Sequence, residues 1–201
     1  LSEYATPRVR AVAKPTLELL AGIPTVVYGF FAITVVTPVL AQFIEGLGNP
    51  HNLISGGIVV GIMIIPMIPA LSEDALRAVP RSLRDGAVAL GATKFETSVK
   101  GVVPAALSGV TASFLLAISR AVGETMAVTL ACGASARLAF DPREGAATMT
   151  SFIVKRALGD VEQFSTEFNS LFAVAGVLFF MTLTMNIVAQ VVMRRYRQVY
   201  Q

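Results

Sequence analysis

This sequence predicts an all-α polytopic membrane fold with four spans, and three observations support it. Hydrophobic residues make up 54% of its 201 residues and charged residues only 14%, with a mean hydropathy of +0.68, which is too apolar for a soluble domain. Four apolar runs, 17–44, 53–71, 104–131 and 169–193, match the ~20 helical residues needed to cross a hydrocarbon core of about 30 Å. The polar segments alternate between the two sides of the membrane, and most of the basic residues fall on one of them. The single cysteine, Cys132, and single histidine, His51, leave no basis for a disulfide framework, a metal site or a Ser-His-Asp triad.

In chain order, residues 1–15 are polar and basic, with Arg8, Arg10 and Lys14. The chain starts at Leu1 with a polar run that has no apolar core behind it, so it does not read as a signal peptide; further spans are expected ahead of it. Pro24 and Pro38 predict a break or kink in the run 17–44, and a membrane helix tolerates this where neighbours satisfy the freed carbonyls. Residues 45–52 read as a Gly/Asn/Pro turn. In the run 53–71, Gly57 and Gly61 form a small face suited to close helix contact, and Pro66 and Pro69 mark its far end. Residues 72–103 are a polar insertion. Pro104 is expected to start the third span, since a proline at a helix start sacrifices no hydrogen bond. The mixed segment 132–168 is expected to hold a short helix around 148–158, ahead of the last span and Arg194, Arg195 and Arg197.

Four spans place the N-terminal segment, the insertion and the C-terminus on one side. That side holds Arg8, Arg10, Lys14, Arg77, Arg81, Arg84, Lys94, Lys100, Arg194, Arg195 and Arg197. The other side holds Arg137, Arg143, Lys155 and Arg156, diluted by Asp141, Glu144, Asp160, Glu162 and Glu167. The positive-inside rule therefore makes both ends and the insertion cytoplasmic and 132–168 external, and it accounts for the net charge of +3 without nucleic acid.

Within the insertion, residues 81–90 read as a helix with Leu83, Ala87 and Leu90 on one face. Gly91 is suited to the left-handed conformation that ends a helix, and Thr93 to capping a second one over 94–100, with Phe95 and Val99 on one face. An amphipathic hairpin that merely joins two spans fits the same periodicity. The spacing also resembles the EAA loop of binding-protein-dependent ABC importer permeases: Asp85-Gly86-Ala87, three residues, Gly91, nine residues, then Gly101, Val102 and Val103-Pro104. Asp replaces Glu, Gly86 replaces Ala, Gly101 replaces Ile and Val103 replaces Leu, while Gly91-Ala92-Thr93 is typical of such loops. The resemblance implies a type I ABC importer permease fold. It also implies a coupling role for Asp85, Gly86, Ala87, Gly91, Ala92 and Thr93 in the groove of a cytoplasmic ATPase.

Arg120 and Glu124 lie inside the third apolar run, four residues apart, a spacing that shares one face of a helix, with Ser119 and Thr125 beside them. A charge in hydrocarbon costs at least ~2.5–3.5 kcal/mol, so such residues face a bundle interior or a watery path. An ion pair that fixes helix packing is one reading. An anion path is the other, because a guanidinium offers a planar fork of donors to phosphate oxygens, with Glu124 holding the arginine. The run Arg120-Ala-Val-Gly-Glu124-Thr-Met-Ala-Val128, with the opening Leu1-Ser-Glu-Tyr-Ala and the run 20–29, resembles phosphate-specific ABC importer permeases, closer to their C-type than their A-type subunit. That resemblance implies a multi-pass bacterial or archaeal plasma-membrane subunit that is not itself an enzyme. Its implied partners are an A-type permease subunit, a cytoplasmic ATPase dimer, an external phosphate-binding protein and membrane lipid. No G-x-x-x-x-G-K-[ST] run occurs in the chain, so ATP and Mg²⁺ would be bound by the ATPase and the chain itself would hold no cofactor. A permease for sulfate, molybdate or phosphonate, an ion-coupled carrier, and a scaffold subunit remain as rivals. Glu18 reads as a helix-start acid, Thr25, Tyr28 and Thr34 as packing or path residues, and His51 and Cys132 as incidental.

Overall fold

Prolines set where the helices of this chain begin, bend and stop. The structure, a computed structural model, describes residues 4–137, 139–159 and 165–196, with side chains as far as Met193. Asp160, Glu162 and Arg197 of the expected charge pattern lie outside the described residues, as do the side chains of Arg194 and Arg195.

Helix α1 (Pro7–Gly22) ends just before Pro24, and α2 (Thr25–Phe31) starts just after it, so the break predicted at Pro24 is present. Pro38, by contrast, does not stop the chain. A π segment (Ala32–Val36) precedes α3 (Thr37–Ala41), and Thr37 N–H bonds to the Ala32 carbonyl five residues back. Pro104 sits in the same arrangement: α7 (Lys94–Glu96) runs through a π segment (Thr97–Val102) into α8 (Val103–Val122), and Val103 N–H reaches the Ser98 carbonyl. Proline has no N–H to give the carbonyl four residues back, and the wider π turn re-routes the bonds before it arrives. The third long helix therefore starts at Lys94 rather than at Pro104, and it runs 29 residues to Val122.

The second run is α4 (Leu53–Ile64) and α5 (Met67–Arg77), joined across Pro66, so helix continues past residue 71 into the expected insertion. Helix α6 (Arg81–Ala89) follows. Beyond α8, the chain breaks and resumes as α9 (Met126–Cys132), then α10 (Met149–Leu158) and α11 (Thr166–Tyr196). Helix α10 starts one residue after Thr148, whose Oγ1 accepts the Ser151 N–H, which matches the short helix expected around 148–158. Among the described residues, three helices are long and apolar enough to cross a membrane, or four if α1 with α2–α3 counts as one span.

The chain divides into two compact units. One holds α1, Ile65–Ile118 and α11 from Met185 onward; the other holds Gly22–Ile64 and Ser119–Thr184. In the first, Leu83 of α6 packs against a buried cluster of Val79, Val102 and Ala106. In the second, Tyr28, Ala32, Val59, Met63, Ala127 and Ala131 form the core. Lipid tails are as apolar as these side chains, so close backbone approach and packing hold the core rather than water exclusion. The approach is made at glycines other than the expected pair. A Cβ on Gly29 would lie 2.9 Å from the Ala127 carbonyl oxygen, and one on Gly56 would lie 2.2 Å from Cys132 Sγ. Gly57 and Gly61 have nothing within 4 Å of a Cβ among the described residues, so the contact expected of them is not made there. Cys132, read as incidental, is a buried packing partner of Gly56.

Candidate functional site

The first candidate region is the insertion, within the first unit. Helix α6 ends as its sequence predicts. Gly91 takes φ +86, its N–H bonds to the Val88 carbonyl at 2.9 Å, and Ala92 N–H reaches the Ala87 carbonyl at 3.1 Å. This pair of bonds is a Schellman closure, which needs a left-handed residue at the Gly91 position. Thr93 then caps the next helix. Glu96 N–H donates to Thr93 Oγ1 at 3.2 Å, and Thr93 N–H donates to Glu96 Oε2 at 3.1 Å, completing a capping box. Leu83 and Ala87 keep the inward stripe, but Leu90 leaves it. It falls on the cap residue, past the last helical turn, and is 91% exposed. Asp85 and Gly86 are exposed as well. Val88, Leu90 and Phe95 are exposed apolar side chains, and Leu90 lines a cleft of about 440 Å³ with Ala87, Gly91, Glu96, Thr97 and Lys100 among others.

Sequence reasoning missed what anchors this insertion. Arg84, read only as one of the basic residues of the cytoplasmic side, donates from Nη1 to the Val79 carbonyl and from Nη2 to the Leu76 carbonyl, each at 2.8 Å. It thereby satisfies an open carbonyl in the last turn of α5 and another in the turn that follows, where a cation also complements the helix dipole. One turn earlier, buried Glu73 pairs with Arg77 Nη2 at 2.6 Å, with Arg10 Nε at 3.8 Å. The signal for Arg84 was the basic residue in the first turn after Pro80, within reach of the helix that proline had just stopped.

The second candidate region, in the second unit, surrounds Arg120 and Glu124. The expectation that they share one helix face is overturned, because α8 ends at Val122 and α9 begins at Met126. Gly123 weakens the helix, and Glu124 supplies a cap for the next one. Its Oε1 accepts the Ala127 N–H at 3.2 Å, a charge-assisted bond to a helix N-terminus. The carboxylate is thus engaged with α9; among the described residues, no hydrogen bond or ion pair joins Arg120 to Glu124. Glu124 is 8% exposed, while Arg120 is exposed on the last turn of α8. The break is stitched to that turn, since Gly123 N–H bonds to the Ser119 carbonyl and Glu124 N–H to the Ala121 carbonyl, both at 3.2 Å. Thr125 Oγ1 donates to the Gly123 carbonyl at 3.2 Å. From α10, Thr150 Oγ1 donates to the Glu124 carbonyl at 2.8 Å, a contact nothing in the sequence announced.

The segment after α9 closes over the start of α4. The carbonyls of Glu144 and Pro142 accept the Leu53 and Ile54 N–H groups, each at 3.1 Å, and so satisfy two open donors of α4. Arg143 clasps Asp141 and donates from Nη1 to the Glu45 carbonyl at 3.2 Å. The Arg143 guanidinium and backbone N–H hold the Asp141 carboxyl at about 2, well below the usual carboxylate range. His51, read as incidental, places Nδ1 2.7 Å from the Leu130 carbonyl at this end of the unit.

The profile of the family described as "Binding-protein-dependent transport system inner membrane component" matches residues 2–198. The chain is 40% identical over 182 residues to the probable ABC transporter permease protein YqgH of Bacillus subtilis (strain 168), covering 90% of this chain and 58% of that protein. It is 31% identical over 214 residues to the phosphate transport system permease protein PstC of Xylella fastidiosa (strain 9a5c), covering 97% of this chain and 65% of that one. The chain therefore spans about three-fifths of the length of these relatives. Among solved structures, an inward-facing MetNI methionine ABC transporter matches with a TM-score of 0.71 at 16% identity, over 96% of this chain and 78% of that chain. At that identity the match speaks for the fold, and the all-helical permease fold of an ABC importer is the one observed here.

Proposed function

The chain belongs to the binding-protein-dependent transport system inner membrane component family, and on that premise we propose that it is the permease subunit of an ATP-driven inorganic phosphate importer. One observation carries the substrate reading: Arg120 presents an exposed guanidinium on the last turn of a span-length helix, beside a helix break, with the nearby carboxylate turned to α9. Among the described residues no carboxylate pairs with it, and a guanidinium in that state keeps its fork of donors for an oxyanion. Relatives named as phosphate transport permeases support the same choice. Ser119 and Thr125 complete the path reading.

In this reading a second, A-type permease subunit completes the path, and an external phosphate-binding protein delivers the anion. A pair of cytoplasmic ATPase subunits holds ATP and Mg²⁺. The residues Asp85, Gly86, Ala87, Gly91, Ala92 and Thr93, with the exposed apolar side chains of Val88, Leu90 and Phe95, dock to that ATPase. The insertion and the C-terminus then face the cytoplasm of a bacterial or archaeal cell.

The test is uptake of labelled phosphate by cells expressing the whole complex, with unlabelled phosphate or sulfate as competitor. Competition by phosphate alone, abolished by Arg120→Gln in assembled complexes, is the expected result. Competition by sulfate, molybdate or phosphonate instead reassigns the oxyanion. Full uptake by Arg120→Gln removes Arg120 from the path.

A further inference from the structure

We infer that Thr150, on helix α10, is a positioning residue for the substrate path: through the Glu124 carbonyl it ties the 141–151 segment to the break that follows the Arg120 turn. The inference rests on the assignment of Arg120 to that path.

Three sets of contacts make one connection, all within the second unit. At its outer end, the segment is fastened to α4 and the turn before it, through the Pro142 and Glu144 carbonyls and through Arg143 on the Glu45 carbonyl. Gly145 allows this closeness, because a Cβ there would lie 2.7 Å from the Cys132 carbonyl oxygen and 2.8 Å from that of His51. At its inner end, the first turn of α10 is buried against the break. Thr150 is 8% exposed, Ser151 is fully buried, and the Thr150 hydroxyl donates to Glu124 at 2.8 Å. The third set joins the break to the Arg120 turn through the Ser119 and Ala121 carbonyls.

A broken helix leaves carbonyls without intrahelical donors, and an external hydroxyl that fills one of them fixes where the break lies. Coupling is carried by packed elements and discrete hydrogen bonds, and here these run from 142–144 to the Arg120 turn through backbone groups and the Thr150 hydroxyl.

The test uses the reconstituted full transporter with Thr150→Val, which keeps the shape and removes the hydroxyl, and Thr150→Ser, which keeps the hydroxyl. Phosphate uptake per assembled complex is expected to fall at least about fivefold in Thr150→Val and to stay within about twofold of wild type in Thr150→Ser, in line with loss of a buried hydrogen bond. Amide exchange across 123–127 should rise in the valine variant alone. Wild-type uptake by Thr150→Val, or equal loss in both variants, overturns the proposal. If Thr150→Val and Thr150→Ala both fail to assemble while Thr150→Ser is active, the hydroxyl has a folding role instead, which also overturns it. Exchange needs no substrate, so the two readings separate. Faster exchange in a transporter whose wild type ignores phosphate sinks the substrate reading alone, and unchanged exchange sinks this one.

Discussion

Arg84 donates to the Leu76 carbonyl at 2.8 Å across the turn that separates α5 from α6, and its other Nη reaches the Val79 carbonyl at the same distance. One side chain thus holds the insertion to the end of the second long helix. Leu83, its neighbour, packs into the same corner.

Replacing Arg84 by Ala should lower the stability of the insertion by about 1.5–3 kcal/mol, the range for hydrogen bonds to charged groups. Arg84→Lys should recover little of it, because a single ammonium lacks the planar fork that spans two carbonyls. Thermal melting of the purified complex checks both. A lysine variant as stable as wild type would show that charge alone suffices.

At Gly91 the expectation separates backbone from contact. Among the described residues no neighbour lies within 4 Å of a Cβ there, so the expected cost comes from φ +86. Gly91→Val should destabilise by roughly 1–2 kcal/mol or more, and Gly91→Asn by clearly less, since Asn visits the left-handed region. Co-purification of the ATPase with each variant measures the consequence for coupling. Equal loss in both would point to a lost contact rather than to backbone strain.

Gly56→Ala places a methyl 2.2 Å from Cys132 Sγ and should destabilise the second unit by about 1–3 kcal/mol through overpacking. Removing the sulfur with Cys132→Ala should return part of that loss in the double variant, because contacting residues couple. Melting temperatures of the two single variants and the double variant decide it; strict additivity would mean that the close approach is relieved elsewhere.

The Arg143 clasp fixes the pH behaviour of its turn. Asp141 titrates at about 2 in the folded chain, mainly through the Arg143 side-chain bonds and then its N–H, against about 3.9 for an unperturbed Asp. A depressed carboxyl contributes stability that is fully present above the unfolded value and is lost as pH falls through the folded one. The clasp should therefore be indifferent to pH between 5 and 8 and should open only near pH 2–4. The ¹³C carboxyl shift of labelled Asp141 reports this directly, and a midpoint near 4 would remove the clasp.

What could be read from the chain alone was whatever is encoded locally. Gly91 and Thr93 announce a stop and a start because each acts on backbone a few residues away, and the structure follows them bond for bond. The helix around 148–158 was legible for the same reason. Legibility ended where the partner lies beyond the residue's own element. Arg84 reaches backward over a proline to the Leu76 carbonyl of α5 and the Val79 carbonyl of the turn after it, and Thr150 reaches Glu124 across 26 residues. Gly57 and Gly61 have the right spacing for contact, but Gly29 and Gly56 have the neighbours. The Arg120–Glu124 spacing misled because it presumes an unbroken helix, and Glu124 is itself part of what breaks it.

The π segment at Thr97–Val102 also bears on how this protein tolerates sequence change. A π turn holds one residue more than the α turn it replaces. Deleting a single residue there would restore a regular α turn and, because the π turn absorbs its extra residue within one turn, would leave the capped start at Thr93 and the Gly91 hinge facing much as before. It would also set Pro104 behind a regular α turn, where its ring meets the carbonyl four residues back and its missing N–H leaves that carbonyl open. The direction of the insertion is therefore insensitive to reading frame at this point, while the bonding around Pro104 is not. Within 97–102, a one-residue deletion should be worse tolerated than most substitutions.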